Sequence, residues 1–113
     1  MKYIVDIDGT ICETEPYDPT SKRFPEYADS SPIQDRINKM NALFDAGHEI
    51  HYWTARGSVS GIDWTDFTIE QLDSWGVKYH SVTTGKPAYD IWIDDKAIEA
   101  RTCLLYTSDA ADE

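Results

Sequence analysis

Cysteine is scarce in this 113-residue chain, with only Cys12 and Cys103. That number and spacing give neither a disulfide framework nor a zinc pattern. Basic residues are also few: ten Lys and Arg stand against 21 Asp and Glu, for a net charge of −11. Such a balance repels nucleic acid and anionic membrane surfaces as a whole. An anionic ligand would need a local answer, a bound cation or a few placed basic groups. No apolar run approaches the roughly 20 residues needed to span a bilayer. The apolar run after Met1 and Lys2 breaks at Asp6, so it does not read as a leader peptide. No membrane partner is expected, nucleic acid is disfavoured, and a cytoplasmic location is the default. The chain has no internal repeat and no low-complexity tract.

Hydrophobic residues make up 41% and charged residues 27%, which fits one ordinary globular domain. The last eleven residues, Cys103 to Glu113, resemble the translation of a transposon-type sequencing adapter. The expected domain is therefore 1–102, cut short near Thr102, with 103–113 set aside as a non-native tail. The tail carries Asp109, Asp112 and Glu113 and no base, so without it the charge is −11 + 3 = −8 and stays acidic.

Tyr3-Ile4-Val5 is a short β-branched run that suits a strand buried on both faces. Residues 9–31 contain Pro16, Pro19 and Pro25 with Tyr17, Phe24 and Tyr27, which predicts a long flap-like loop. Ser31 as cap, Pro32 at the first helical position and Gln34 closing a capping box predict a helix start. Ile33, Ile37, Met40 and Phe44 follow at helical spacing, and Gly47 ends the pattern. Residues 49–54 alternate as a second strand. A second helix opens at Asp63 or Thr65 and buries Phe67, Leu72 and Trp75 before Gly76. Residues 77–82 predict a third strand, residues 89–93 a fourth, and a further helix starts at Ala97. This alternation argues an α/β fold with a parallel sheet and helices on its faces.

The polar residues that interrupt this pattern gather at predicted strand ends. Asp6 and Asp8 follow the first strand, Thr54 the second, Lys86 the third, and Asp94 with Asp95 the fourth. In open α/β sheets the carboxyl ends of the strands form the ligand crevice. Each group also has a plainer reading. Asp-x-Asp-Gly-Thr is turn chemistry, Lys86 and Arg56 are ordinary surface residues, and Asp94-Asp95 is a helix cap. His48, His51 and His80 show no ligand spacing and read as surface or packing residues, His80 having the better claim as a substrate-side group. Cys12 reads as a small buried apolar group, and the tryptophans 53, 64, 75 and 92 as core.

Together these segments resemble the haloacid dehalogenase superfamily of hydrolases. Tyr3-Ile4-Val5-Asp6-Ile7-Asp8-Gly9-Thr10 is similar to its first motif, Tyr52-Trp53-Thr54 to its second, Lys86 to its third and Ile93-Asp94-Asp95 to its fourth. The resemblance implies a three-layer Rossmann-like fold with strand order 3-2-1-4. It implies a magnesium-dependent phosphatase in which Asp6 attacks phosphorus and forms an aspartyl-phosphate. Asp8 would protonate the leaving oxygen and then activate water, its ionised form disfavoured by the neighbouring carboxylate. Asp6, Asp8 through its carbonyl, Asp94 and Asp95 would hold Mg2+ through hard oxygen donors. Thr54 and Lys86 would bind the phosphate, with Arg56 as a second phosphate or substrate contact.

Gaps between the motifs are too short for a cap domain, so the site is expected to be open. Water must then be excluded by the flap, by an oligomer partner or by the substrate itself. The preferred substrate class is a small sugar phosphate or nucleotide, with a polynucleotide end phosphate second. Two readings from other classes remain: a catalytically silent magnesium-binding interaction module, and a receiver-type signalling domain. The receiver's motif order differs, since here the acids at 94 and 95 follow Lys86-Pro87.

Overall fold

Lys2–Val5 (β1), Glu49–Trp53 (β4) and Ser81–Thr83 (β5) form a parallel three-stranded sheet in the order β1-β4-β5. The computed structural model describes residues 1–15, 18, 20–21 and 26–101. Pro16, Tyr17, Pro19, Phe24 and Pro25 of the expected flap lie outside the described residues, as does the tail 103–113. Ile4 pairs with His51, and His51 with Ser81, so the strand ends run side by side.

Helix α1 (Gln34–Asp45) links β1 to β4, and α2 (Thr65–Ser74) links β4 to β5. Right-handed crossovers that step in one direction across a sheet place both helices on the same face. The packing agrees. Ile37 and Met40 of α1 and Leu72 of α2 share one core with Val5, Ile50, Tyr52 and Val77. Asn41 of α1 donates to the Gly76 carbonyl at 2.9 Å and accepts from the Lys78 N–H at 2.9 Å, which ties α1 to the turn after α2. On the other face Ile4 is 59% exposed, and the third expected layer is not built by any complete element among the described residues. Helical backbone resumes only at Ala100. No helix among the described residues is long and apolar enough to cross a membrane.

Three expectations need correction. Ser31 and Pro32 do not start the helix. They form β3 and pair antiparallel with Cys12–Glu13 (β2), and α1 begins at Gln34 with no side-chain cap bond. The Ile33 N–H is spent on the Ile11 carbonyl at 2.8 Å. A tertiary ribbon has overridden a local capping signal. The fourth strand is also absent: residues 84–99 are irregular, with Ile91 79% and Ile93 93% exposed. An apolar run becomes a strand only by pairing and packing, and among the described residues no ladder bond or covering layer meets this one. The tryptophans, finally, are rim residues: Trp53, Trp64 and Trp75 are half-buried and Trp92 is exposed, while Tyr52 holds the centre of the core. Cys12 is fully buried, as expected.

Candidate active site

The aligned strand ends put Asp6, Thr54 and the loop bearing Lys86 next to one another. Beyond β1 the chain turns back tightly. The Ile7 carbonyl accepts from the N–H groups of Thr10 and Ile11, both at 3.0 Å, and the Gly9 N–H donates to the Cys12 carbonyl at 2.8 Å. This turn needs Gly9 at φ +82°. Ile7 and Ile11 are fully buried beneath it, so the Asp6 and Asp8 side chains are held on a rigid loop. Thr54 fixes the two neighbours of the site. Its N–H donates to the Thr83 carbonyl at 2.9 Å, and its carbonyl accepts from the Lys86 N–H at 3.1 Å.

Two ion pairs define the centre. Lys86 Nζ lies 3.5 Å from Asp6 Oδ1 and above the rings of Tyr89 and Trp92, at 5.1 and 5.8 Å from their centroids. Arg56 reaches Asp8 with both arms of its fork: Nε to Oδ2 at 2.9 Å and Nη2 to Oδ1 at 2.8 Å. Arg56 is itself pinned. Its Nη1 donates to Gln71 Oε1 at 2.7 Å and Thr68 Oγ1 at 3.3 Å, and its guanidinium stacks over Tyr27 at 4.5 Å. Its backbone N–H donates to Thr54 Oγ1 at 3.1 Å. Thr14 adds a 2.6 Å hydroxyl bond to Asp8 Oδ1.

These surroundings push the two aspartates apart. Burial lifts the Asp6 carboxyl above its ordinary value, and the nearby Lys86 charge only partly counters it. Burial also acts on Asp8, but the Arg56 hydrogen bonds and charge, with Thr14 and Cys12, outweigh it and hold Asp8 below its ordinary value. The raised Asp8 expected of a general acid is therefore not found; a buried guanidinium takes the place of carboxylate repulsion. Burial pushes the Cys12 thiol up to about 11, so it is no nucleophile.

Asp6, Asp8, Thr54, Arg56 and Lys86 are thus brought together. Asp94 and Asp95 are exposed, outside this cluster. Asp94 accepts from the Lys96 N–H at 3.1 Å and from Trp92 Nε1 at 3.3 Å. Among the described residues no three His, Cys, Asp or Glu side chains stand close enough to share a cation. The histidines lie apart from the site. His48 Nδ1 meets the N-terminal amine at 2.9 Å, His51 Nδ1 bonds Ser81 at 2.6 Å, and His80 Nδ1 accepts from the Ile50 N–H at 3.1 Å. Sequence reasoning missed Thr14, Thr68 and Gln71. Thr14 was open to suspicion as a hydroxyl six residues past Asp8, but nothing in the α2 pattern marks Thr68 and Gln71 as partners of Arg56.

No protein-family model matches this chain, and no curated protein matches it. A structural-genomics target from Vibrio cholerae, known as a crystal structure, is similar in fold: TM-score 0.75, 26% identity, covering 91% of this chain and 86% of that one. The likeness supports the α/β architecture with its three-stranded parallel sheet and two helices.

Proposed function

We propose that the chain is a phosphomonoester hydrolase that works through an aspartyl-phosphate on Asp6. The observation that carries this reading is the pairing of Asp6 with Lys86 at a strand-end rim where Thr54 and Arg56 also converge. A carboxylate nucleophile needs a neighbouring cation to let an anionic phosphate approach, and Lys86 supplies one. Asp6 attacks phosphorus, the bond to the leaving oxygen breaks, and that oxygen takes up a proton. Water then attacks the acyl phosphate, gives up a proton and releases inorganic phosphate, which restores the Asp6 carboxylate. Asp8, ionised and oriented by Arg56 and Thr14, suits the second step as base. To serve the first step as acid it must carry a proton, which the Arg56 clamp opposes.

Magnesium belongs to the same proposal. Asp6 is a half-buried carboxylate whose ionised form lacks full compensation, and hard oxygen donors at Asp6 and the Asp8 carbonyl suit the ion. Bound there, Mg2+ would lessen the repulsion between nucleophile and phosphate. Asp94 and Asp95 do not complete the set as they stand. In the fold the motifs resemble, residues 89–93 would lie beside β1 in the order 3-2-1-4, without a cap. The separation of Asp94 and Asp95 from Asp6 also favours a second reading, a silent interaction module with the same rim.

Hydrolysis of an aryl phosphate by wild type and Asp6→Asn, with magnesium and with chelator, tests the choice. Magnesium-dependent turnover lost in the variant is expected. A folded wild type that binds the ion yet turns over no phosphate ester sinks the enzymatic reading in favour of the silent module.

A further inference from the structure

A polar cleft opens beside the Asp6–Lys86 pair, between the loop after β4 and the loop after β5. Its volume is about 250 Å3, and Ser58, Asp63, Thr65, Thr84 and the glycines 57 and 85 are among the residues that line it. Gly85 directly precedes Lys86, so the cleft begins where a phosphate on Lys86 would end. The cleft is a built feature. Ser58 Oγ donates to the Lys86 carbonyl at 2.6 Å, which fastens one wall to the catalytic loop. Thr65 and Thr84 hydroxyls join the walls at 3.1 Å. Gly57 turns the loop at φ +85°, where a Cβ would lie 2.0 Å from the Ile62 carbonyl oxygen.

We infer that this cleft binds the hydroxylated leaving group of the substrate, so that the substrate class is a monosaccharide monophosphate. The inference rests on the phosphohydrolase reading and narrows it. Two properties of the cleft choose a sugar over a nucleotide. The volume falls below the roughly 300 to 1,000 Å3 of pockets for drug-sized ligands, which leaves room for one small ring. The described lining offers hydroxyls, the Asp63 carboxylate as an acceptor for a polyol, the edge of Arg56 and the Ile62 side of the loop, and it contains no aromatic ring for a base to stack on. Ser58 gives its proton to the Lys86 carbonyl and keeps its lone pairs for a ligand hydroxyl.

Two measurements on the full chain test this. In the first, amide shifts are followed by NMR while a hexose 6-phosphate or inorganic phosphate is added. The sugar phosphate should move the amides of residues 57–65 and 84–85, and inorganic phosphate should leave residues 57–63 in place. Equal responses to the two, or none from the loop, overturn the inference whether or not the protein turns over any ester. In the second, kcat and KM are compared for the hexose 6-phosphate, a nucleoside 5′-monophosphate and an aryl phosphate. The hexose ester should have the highest kcat/KM. Thr84→Val should raise its KM about 3- to 10-fold, the loss of one neutral hydrogen bond, with kcat little changed. A preference for the nucleotide, or an unchanged KM in a folded Thr84→Val, overturns the sugar assignment and leaves the phosphohydrolase reading standing. Loss of all ester hydrolysis in wild type, with the sugar-specific amide shifts retained, sinks the enzymatic reading and leaves the cleft a sugar phosphate site.

Discussion

Arg56 and Asp8, 48 residues apart in sequence, meet fork to fork, with two parallel bonds of 2.9 and 2.8 Å. The Arg56 side chain is completely buried and that of Asp8 is 27% exposed. A buried guanidinium costs much to desolvate, and here the cost is offset by every arm having a partner: Asp8, Thr68, Gln71 and the Tyr27 ring. Replacing Arg56 by Met therefore strands a carboxylate and two polar side chains. The expected loss is about 3 kcal/mol, the low end for a broken buried pair because Asp8 keeps some water. Urea unfolding of Arg56→Met, and of Arg56→Met with Asp8→Asn, checks it. The double variant should recover part of the loss, and an additive pair of losses would show that the two residues are not coupled.

The same pair sets an acid limit on stability. Asp8 sits below its ordinary value because Arg56 outweighs its burial. A carboxyl with a depressed folded pKa adds stability above its unfolded pKa, near 3.9, and loses it as pH falls through the folded value. Wild type should thus exceed Asp8→Asn in urea midpoint at pH 7. The gap should stay level down to about pH 5 and close below about pH 4. A gap that widens on acidification would reverse the sign assigned to Asp8.

Gly57 and Gly47 both have positive φ, +85° and +96°, but differ in what surrounds them. A Cβ on Gly47 meets nothing within 4 Å, whereas one on Gly57 falls 2.0 Å from the Ile62 backbone oxygen. Gly47→Ala should cost only left-handed strain, about 1 to 2 kcal/mol. Gly57→Ala adds a backbone clash that opens the loop between residues 57 and 62. Its thermal midpoint should fall further than that of Gly47→Ala. Equal midpoints would mean that the loop gives way freely.

Much of this geometry was legible in the residues themselves. The β-branched run ending at Asp6, the helical spacing from Ile37 to Phe44 and the alternation from Glu49 to Trp53 each depend on local periodicity, and each reappears as an element. The convergence of Asp6, Thr54 and Lys86 followed from one rule, that parallel strands end together. Pairing that depends on distant chain was not legible. Ser31-Pro32 carries a good capping signature, yet it was claimed by a ribbon with Cys12-Glu13. Ile91 and Ile93 look like a buried strand, and nothing local says that, among the described residues, neither ladder nor cover meets them. Arg56 carried the least information of all: its burial depends on Gln71 and Thr68 on a helix whose apolar pattern does not point at them.

Asp6 makes the last prediction sharp, because the proposed function and stability ask opposite things of it. Burial lifts its carboxyl above the ordinary value, with Lys86 only partly compensating. A carboxyl with a raised folded pKa binds its proton more tightly in the native state, so its ionised form costs stability at neutral pH and the cost vanishes once it is protonated. Asp6→Asn removes the charge and keeps the shape. Lys86 loses its anion but retains the Tyr89 and Trp92 rings. The variant should melt higher than wild type at pH 7 and level with it below about pH 4, while phosphate ester hydrolysis is abolished. Such a trade of stability for activity is what the proposed role of Asp6 as nucleophile entails. A variant that melts lower at pH 7 would show that the Lys86 pairing outweighs the burial of Asp6, and that its carboxylate is at rest in the free protein.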